Sequence, residues 1–379
     1  MRFWGITGTN GKTTTTWIAA EFMNACGGLR AGHITTVEAF DGVRRFYTGY
    51  TTPPLAKLRE IYAAMEANGC TDCVMEVSSH AIHQNRVGFG EVTSFSGGAF
   101  TNISEDHLDY HKTMEEYFRV KLSFAEQIAR GNPSGRKAPF AVCIDGAGGE
   151  RMYEACRGIP GLDAFPVTAK PPAFDFSGLQ LVGDYNKSNV ALAAALALVA
   201  GVQYDAIQRT IPLLRPRWGR LELVENPSVK AKVYVDFAHT PDGLEKVLSA
   251  ARGFTPHDGR LWVVFGAGGD RDPMKRPLMG EACARLADSL VVTSDNPRSE
   301  DPATIIDAIV AGVDRAAARP RLVRIEPDRR EAIFFALANA ASSDVVIIAG
   351  KGHETTQEIK GVKHPFDDRE VVRSFSHMV

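Results

Sequence analysis

Near the start of the chain, Gly5-Ile6-Thr7-Gly8-Thr9-Asn10-Gly11-Lys12-Thr13 sets the strongest limit on what the sequence can fold into. A short strand, Arg2 to Thr7, leads into it, and Trp17, Ile18, Phe22 and Ala25 follow at helical spacing from about Lys12. Strand, glycine turn and helix in that order make a phosphate cradle. Backbone N–H groups close on phosphate oxygens, the helix start adds positive potential, Lys12 reaches the terminal phosphates and Thr13 is placed to ligate Mg²⁺. Ile6 stands where the strict pattern has glycine, so the structural context carries the reading.

The same alternation continues downstream. Apolar strands are expected at Cys73 to Val77, Phe95 to Thr101 and Phe140 to Ile144, with a buried helix from about Ser188 to Ala200. Arg215-Pro216-Arg217-Trp218-Gly219 breaks the pattern and marks a domain boundary, giving domains 1–216 and 217–379. Beyond it, strands at Lys232 to Phe237, Leu261 to Phe265, Ser289 to Thr293 and Asp344 to Ala349 each run into a polar loop. Strands alternating with helices imply an α/β protein with parallel, helix-covered sheets, whose ligands bind at the carboxyl ends of the strands. The polar loops should therefore converge.

Charge and composition exclude several classes. With 43 Lys and Arg against 45 Asp and Glu, the chain lacks the basic excess of a nucleic-acid binder. The longest apolar run, Val190 to Val202, is shorter than the roughly 18 residues of a spanning helix, so no membrane partner is expected. Scattered cysteines, with Cys70 and Cys73 lacking a second pair, fit ordinary thiols in a reducing compartment. Without a visible leader, a cytoplasmic location is expected. His353-Glu354 lacks the second histidine of a zinc protease, Ser79-His80 lacks nucleophile-elbow glycines, and Gly266 to Arg271 ends in Arg where a dinucleotide loop has Gly. These departures disfavour a hydrolase or a dehydrogenase.

One lysine stands out. On a helix from about Thr113 to Ala129, the apolar stripe Met114, Phe118, Ala125, Ile128 has Lys121 in its middle. Lys121 either snorkels to solvent or is a buried cation with a task, since an unpaired buried ammonium is costly. Upstream, Asp106-His107-Leu108-Asp109-Tyr110-His111 gathers potential metal ligands, and Glu76 ends a strand beside Ser78, Ser79 and His80.

These residues resemble the Mur ligases of peptidoglycan synthesis along nearly the whole chain. Thr7 to Thr13, Met75-Glu76-Val77-Ser78-Ser79-His80, Thr101-Asn102 with Asp106 to His111, Gly219-Arg220-Leu221-Glu222 and Val235-Asp236-Phe237-Ala238-His239-Thr240-Pro241-Asp242 look like the family's successive motifs. Phe265 to Asp272, Asp295-Asn296-Pro297-Arg298 and Ala349-Gly350-Lys351-Gly352-His353-Glu354 resemble its diaminopimelate-adding branch. The resemblance implies a P-loop central ATPase domain with a parallel sheet, followed by a Rossmann-like C-terminal α/β domain that binds the amino acid. It further implies an ATP-dependent amide ligase acting through an acyl phosphate.

By that resemblance, Gly8, Thr9, Asn10, Gly11, Lys12, Thr13, Thr14, Asn186, Asn189, Arg220 and Asp236 would bind ATP. Thr13, Glu76, His107 and Lys121 would hold Mg²⁺, with Lys121 carbamylated by CO₂, and Lys12, Lys121, Arg220 and His107 would be catalytic. The muramoyl-peptide acceptor would meet Thr51, Thr52, Ser78, Gln84 and Arg86. For the amino acid, Arg298 would fork the extra carboxylate of diaminopimelate and Arg271 the other end, with Asp295, Asn296, Gly350 and Glu354 on the ammonium and remaining polar atoms.

The chain departs from the family in three places. It starts where the N-terminal domain that cradles the uridine nucleotide would end. Cys143-Ile144-Asp145-Gly146 replaces an expected Asn-x-Asp-Asp, and the stretch from there to Asn186 is short. Expectation therefore extends to a partner supplying the nucleotide-sugar domain, to the same chemistry on a nucleotide-free muropeptide or Glu-containing peptide, and to a non-catalytic ATP-binding subunit.

Overall fold

The computed structural model describes residues 1–89, 91–131, 136–316, 320 and 322–376. The chain divides into two compact units, Met1–Leu214 and Arg215–Val379.

The first unit is built on strands β1 (Arg2–Thr7), β2 (Ala31–Ile34), β3 (Ala39–Phe40), β4 (Arg45–Phe46), β5 (Asp72–Glu76), β6 (Phe95–Phe100), β7 (Ala138–Cys143) and β8 (Leu162–Val167). They form one sheet in the order β4-β3-β2-β5-β1-β6-β7-β8. From β2 to β8 the pairing is parallel, and β3 and β4 add an antiparallel edge. β5 is buried along its whole length, as expected of a central strand covered by helices on both faces.

Two helices matter for the site. Lys12–Asn24 leaves the glycine loop directly and packs against Asp184–Ala200. The latter starts at Asp184 rather than Ser188, so Asn186 and Asn189 sit one turn apart on it. Met114–Gly131 buries Tyr117, Phe118, Lys121, Phe124, Ala125 and Ile128 at helical spacing. Met114 is exposed, contrary to the expected stripe. As the first residue of the helix it precedes the turn that meets the core, and Tyr117 holds the buried place instead.

The second unit contains β9 (Glu222–Val224), β10 (Lys232–Asp236), β11 (Leu261–Phe265), β12 (Ser289–Val292), β13 (Leu322–Ile325), β14 (Val345–Ala349) and a hairpin of β15 (Thr356–Ile359) and β16 (Val362–Pro365). Its main sheet runs β13-β12-β11-β14-β10-β9, parallel throughout except for β9. β11 and β14 are fully buried. At roughly 1.5–3 kcal/mol for each large apolar side chain removed from water, these runs hold the unit together.

Both sheets carry the same device at the amino ends of neighbouring parallel strands. In the first unit, Asp72 accepts hydrogen bonds from Arg2 Nε and Trp4 Nε1, each at 2.8 Å. In the second, Asp344 accepts from Arg260 Nε at 3.2 Å and Trp262 Nε1 at 2.9 Å. Both aspartates are buried. Among the described residues no helix is long and apolar enough to cross a membrane.

Candidate functional site

Residues outside the glycine loop do much to fix it. Gly11 is left-handed at φ +84° and caps the following helix. A Cβ on Gly8 would lie 1.8 Å from Thr101 Oγ1, and one on Gly11 would lie 2.4 Å from Asn189 Oδ1, so neither position admits a side chain. The Asn10 N–H donates to Asn102 Oδ1 at 3.0 Å, while Thr101 Oγ1 and Asn102 Nδ2 donate to the Asn10 carbonyl. Thr9 is buried against Tyr117, hydroxyl to hydroxyl at 3.1 Å. Thr13 is buried and Thr14 half-buried at the helix start.

Two lysines meet at this loop. Lys12 Nζ donates to the Gly8 and Thr9 carbonyls at 3.0 and 2.7 Å, and Lys121 Nζ donates to the same Gly8 carbonyl at 2.8 Å. Lys121 does not snorkel: it is 1% exposed and sits 4.5 Å from the Tyr117 ring centroid. Burial first, and the Lys12 charge second, push its ammonium well below the usual lysine range. A lowered ammonium pKa raises the share of free amine, the nucleophilic form of lysine.

His107 lies within the field of both lysines. Burial, aided by His80, Lys12 and Lys121 against the opposing pull of Asp106, pushes its imidazole down to about 4. Its ring is therefore neutral at pH 7, with a lone pair to offer. The backbone is left-handed at φ +57°, a strained conformation for a residue other than glycine. Glu76, at the carboxyl end of β5, is buried in register with Ile6 of β1. Its carboxylate accepts from the Thr36 N–H and hydroxyl at 2.8 and 3.2 Å. The side chain of Asp109 lies outside the described residues. No group of three or more His, Cys, Asp or Glu side chains suited to a metal occurs among the described residues. The expected set has only two such members, Glu76 and His107, beside Thr13 and Lys121.

The residues expected to meet the acceptor gather beside Glu76 and His107. Thr51 and Thr36 pair hydroxyl to hydroxyl at 3.1 Å, Thr52 donates to the Glu76 carbonyl at 2.8 Å, and the Ser78 N–H donates to Thr52 Oγ1 at 3.1 Å. Gln84 is exposed, donates to the Tyr110 hydroxyl at 3.1 Å and accepts from Arg86 Nε at 2.7 Å. The Tyr110 ring lies tilted against His80, their centroids 4.2 Å apart, and His80 meets His107 edge-on at 4.9 Å. Asn186 and Asn189 are buried and linked at 3.1 Å, with Asn189 also accepting from Thr15.

In the second unit the loops after β10, β11, β12 and β14 meet. The Gly350 N–H donates to the Asp236 carbonyl, and the Gly269 N–H donates to the Asn296 carbonyl. The buried Asp236 carboxylate accepts from the Leu221 and Ala238 N–H groups, both at 2.7 Å, while Arg220 lies 4.6 Å over the Phe237 ring. Arg298 and Arg271 flank Gly268. Arg298 donates to the Gly269 carbonyl at 2.6 Å and lies 3.8 Å from Glu358, and Arg271 is exposed. Asn296 Nδ2 donates to Glu354 Oε2 at 2.8 Å. An arginine fork beside an acidic group suits an amino acid, which carries both charges.

Several groups that shape these sites carry no assignment from sequence. Tyr117 occupies an ordinary apolar position of its helix. Lys351 was visible only as part of a glycine-flanked motif, and no local pattern marks Arg329, whose buried guanidinium pairs with Asp368 at 2.8 Å.

Comparison with known proteins adds an independent line. Residues 6–143 match the Mur ligase middle domain and residues 219–352 the Mur ligase, glutamate ligase domain. The chain is 40% identical to the UDP-N-acetylmuramoyl-L-alanyl-D-glutamate--2,6-diaminopimelate ligase of Thermosynechococcus vestitus, covering 98% of this chain and 76% of that protein. It is 37% identical, at the same coverage, to the protein of that name from Vibrio vulnificus. A solved structure bearing the same enzyme name aligns with TM-score 0.61 at 30% identity, over 99% of this chain and 78% of that one.

Proposed function

The chain belongs to the Mur ligase family, and within it we propose an ATP-dependent, ADP-forming ligase that joins meso-diaminopimelate to UDP-N-acetylmuramoyl-L-alanyl-D-glutamate in peptidoglycan precursor synthesis. The convergence of Lys12 and Lys121 on one carbonyl of the glycine loop carries this reading. It makes a site for a polyphosphate and puts a neutral-leaning amine beside it.

The donor set fits Mg²⁺ once Lys121 is carbamylated. Nζ attacks CO₂, the N–C bond forms and a proton leaves to solvent, so a disfavoured cation becomes an anionic oxygen ligand. With Thr13, the buried Glu76 carboxylate and the neutral His107 ring, that carbamate would hold the metal. Bound Mg²⁺ supplies neutralisation of phosphate charge.

In the first step a D-glutamate carboxylate oxygen attacks the γ-phosphorus of ATP, and the bond to ADP breaks. The loop N–H groups and Lys12 position the transferred phosphoryl group and offset part of its charge in this step. In the second, the neutral amine of diaminopimelate attacks the acyl carbon, the nitrogen gives up a proton to solvent or the departing phosphate, and the tetrahedral intermediate collapses with loss of phosphate to give the amide. Thr51, Thr52, Ser78, Gln84 and Arg86 orient the acceptor. Arg298, Arg271, Asp295, Asn296, Gly350 and Glu354 orient the amino acid, Asn186 and Asn189 face the adenine side, and Asp236 holds the backbone beside Arg220. No protein nucleophile is needed.

Phosphate release with ATP, Mg²⁺ and diaminopimelate tests the proposal, with UDP-muramoyl dipeptide compared against a nucleotide-free muropeptide. Release that needs both diaminopimelate and the UDP-linked acceptor, with the amide seen by mass spectrometry, is the expected result. Turnover with the nucleotide-free acceptor alone would overturn the acceptor. Tight ATP binding without turnover on any acceptor would point instead to a non-catalytic subunit.

A further inference from the structure

Lys351 is fully buried, yet it lies among the groups assigned to the amino acid. Its Nζ donates to Asn296 Oδ1 at 3.1 Å and to Glu354 Oε2 at 3.0 Å, and lies 3.6 Å from Asp295 Oδ1. Asn296 Oδ1 also accepts from the Glu358 N–H at 2.9 Å. With two donors on Oδ1, the amide is oriented so that Nδ2 faces Glu354 Oε2. Glu354 Oε2 thus takes both available donors. Asp295 Oδ1 is buried without a hydrogen-bond partner, a costly arrangement unless a ligand completes it.

Charge arithmetic gives the cluster its preference. The cations of Lys351 and Arg329 stand among the carboxylates of Asp295, Glu354 and Asp368, so two positive charges against three negative leave the group one negative charge. It is matched to one cation. Resting on the amino-acid site proposed above, we propose that Lys351 is a positioning residue that fixes Asn296 and Glu354 and cancels one carboxylate, tuning the cluster to a single ammonium of the incoming amino acid. Arg298 reads the carboxylate of the same substrate. Lys351 touches neither substrate nor nucleotide in this assignment and acts through Asn296 and Glu354.

The test is a double-mutant cycle of Lys351→Met and Glu354→Gln, read by steady-state kinetics and by a crystal structure of Lys351→Met. The single Lys351→Met variant should lose about 10- to 100-fold in kcat/KM for diaminopimelate, the size seen when residues that orient direct ligands are removed. The loss should appear in the KM for the amino acid, with the KM for ATP unchanged. The double variant should fall no further than the worse single, and the Asn296 amide should turn in the crystal. Multiplying losses, an equal rise in the KM for ATP, or Asn296 and Glu354 unmoved would each overturn the assignment. If Lys351→Met does not fold, Lys351→Gln keeps a donor for Asn296 without the charge and should show the same KM split.

Wild type is run first over a panel of amino acids. If it uses another amino acid, the diaminopimelate reading fails and the cycle proceeds with that substrate. If it uses none, the positions of Asn296 and Glu354 in the variant crystal decide the Lys351 assignment alone.

Discussion

Replacing Arg329 by methionine should destabilise the second unit by about 3–5 kcal/mol, the range for removing one partner of a buried ion pair. The structure makes the case for the upper half of that range. Arg329 and Asp368 are 1% and 0% exposed and joined by two 2.8 Å hydrogen bonds. The same guanidinium donates to the Ser294 carbonyl at 3.3 Å and the Ala349 carbonyl at 2.9 Å. The variant therefore strands a buried carboxylate and removes a donor from two loop carbonyls. At about 1.4 kcal/mol per decade, the upper half of that range shifts the unfolding equilibrium by roughly three to three and a half decades. Urea denaturation followed by hydrogen exchange in β11, β12 and β14 reads this unit separately from the first. Because Ser294 and Ala349 immediately precede Asp295 and Gly350, the KM for the amino acid should rise as well. The double variant Arg329→Met/Asp368→Leu, which leaves no lone charge, should regain much of the stability but not the KM. A single-variant cost below about 1 kcal/mol, or a double variant less stable than Arg329→Met, would refute the reasoning.

Three further outcomes are expected. Arg298→Ala should cost about 1.5–3 kcal/mol in diaminopimelate kcat/KM, the strength of a charged hydrogen bond, with little change for ATP; equal losses for both would contradict its role. Lys121→Met should abolish turnover while ATP still protects the chain against thermal unfolding, and a ¹³C carbamate resonance formed from ¹³CO₂ should be present in wild type and missing in the variant. His353 is held neutral by burial first and by the cations Arg220 and Arg369, so its imidazole falls from 6.5 to about 3. As pH drops from 6.5 toward that value, the unfolded chain takes a proton the folded chain refuses, and stability falls by at most about 1.4 kcal/mol per pH unit. His353→Asn should show a shallower acid loss in urea titrations, and an unchanged slope would remove His353 as the cause.

Much of the architecture is readable because it rests on local chemistry. Gly8 and Gly11 announce a turn that only glycine fits, and the apolar runs 261–265 and 345–349 can only be strands buried on both faces. Lys121 is conspicuous since its helix otherwise shows a clean apolar face. What stays hidden depends on distant partners. β3 and β4 are only two residues each and have no periodicity to display. Arg329 meets Asp368 39 positions away, and Lys351 gains its meaning only when the loop carrying Asn296 folds beside it. Met114 misleads because periodicity does not say where a helix first reaches the core.

The paired tryptophan, arginine and aspartate at the foot of each sheet have a consequence for inheritance rather than chemistry. Every group assigned to substrate lies at the opposite, carboxyl end of the strands or in the loops and helices that follow. Loss of Asp72 or Asp344 leaves an indole N–H and a guanidinium without their acceptor, at the far end of the strands from the groups proposed to meet ATP and the amino acid. A natural variant there would shrink the pool of folded molecules while each survivor works at the normal pace, and its phenotype would track gene dosage and chaperone supply. Variants of the half-buried or exposed substrate groups at the other end, such as Arg298, would behave in the opposite way, with full abundance and poor turnover.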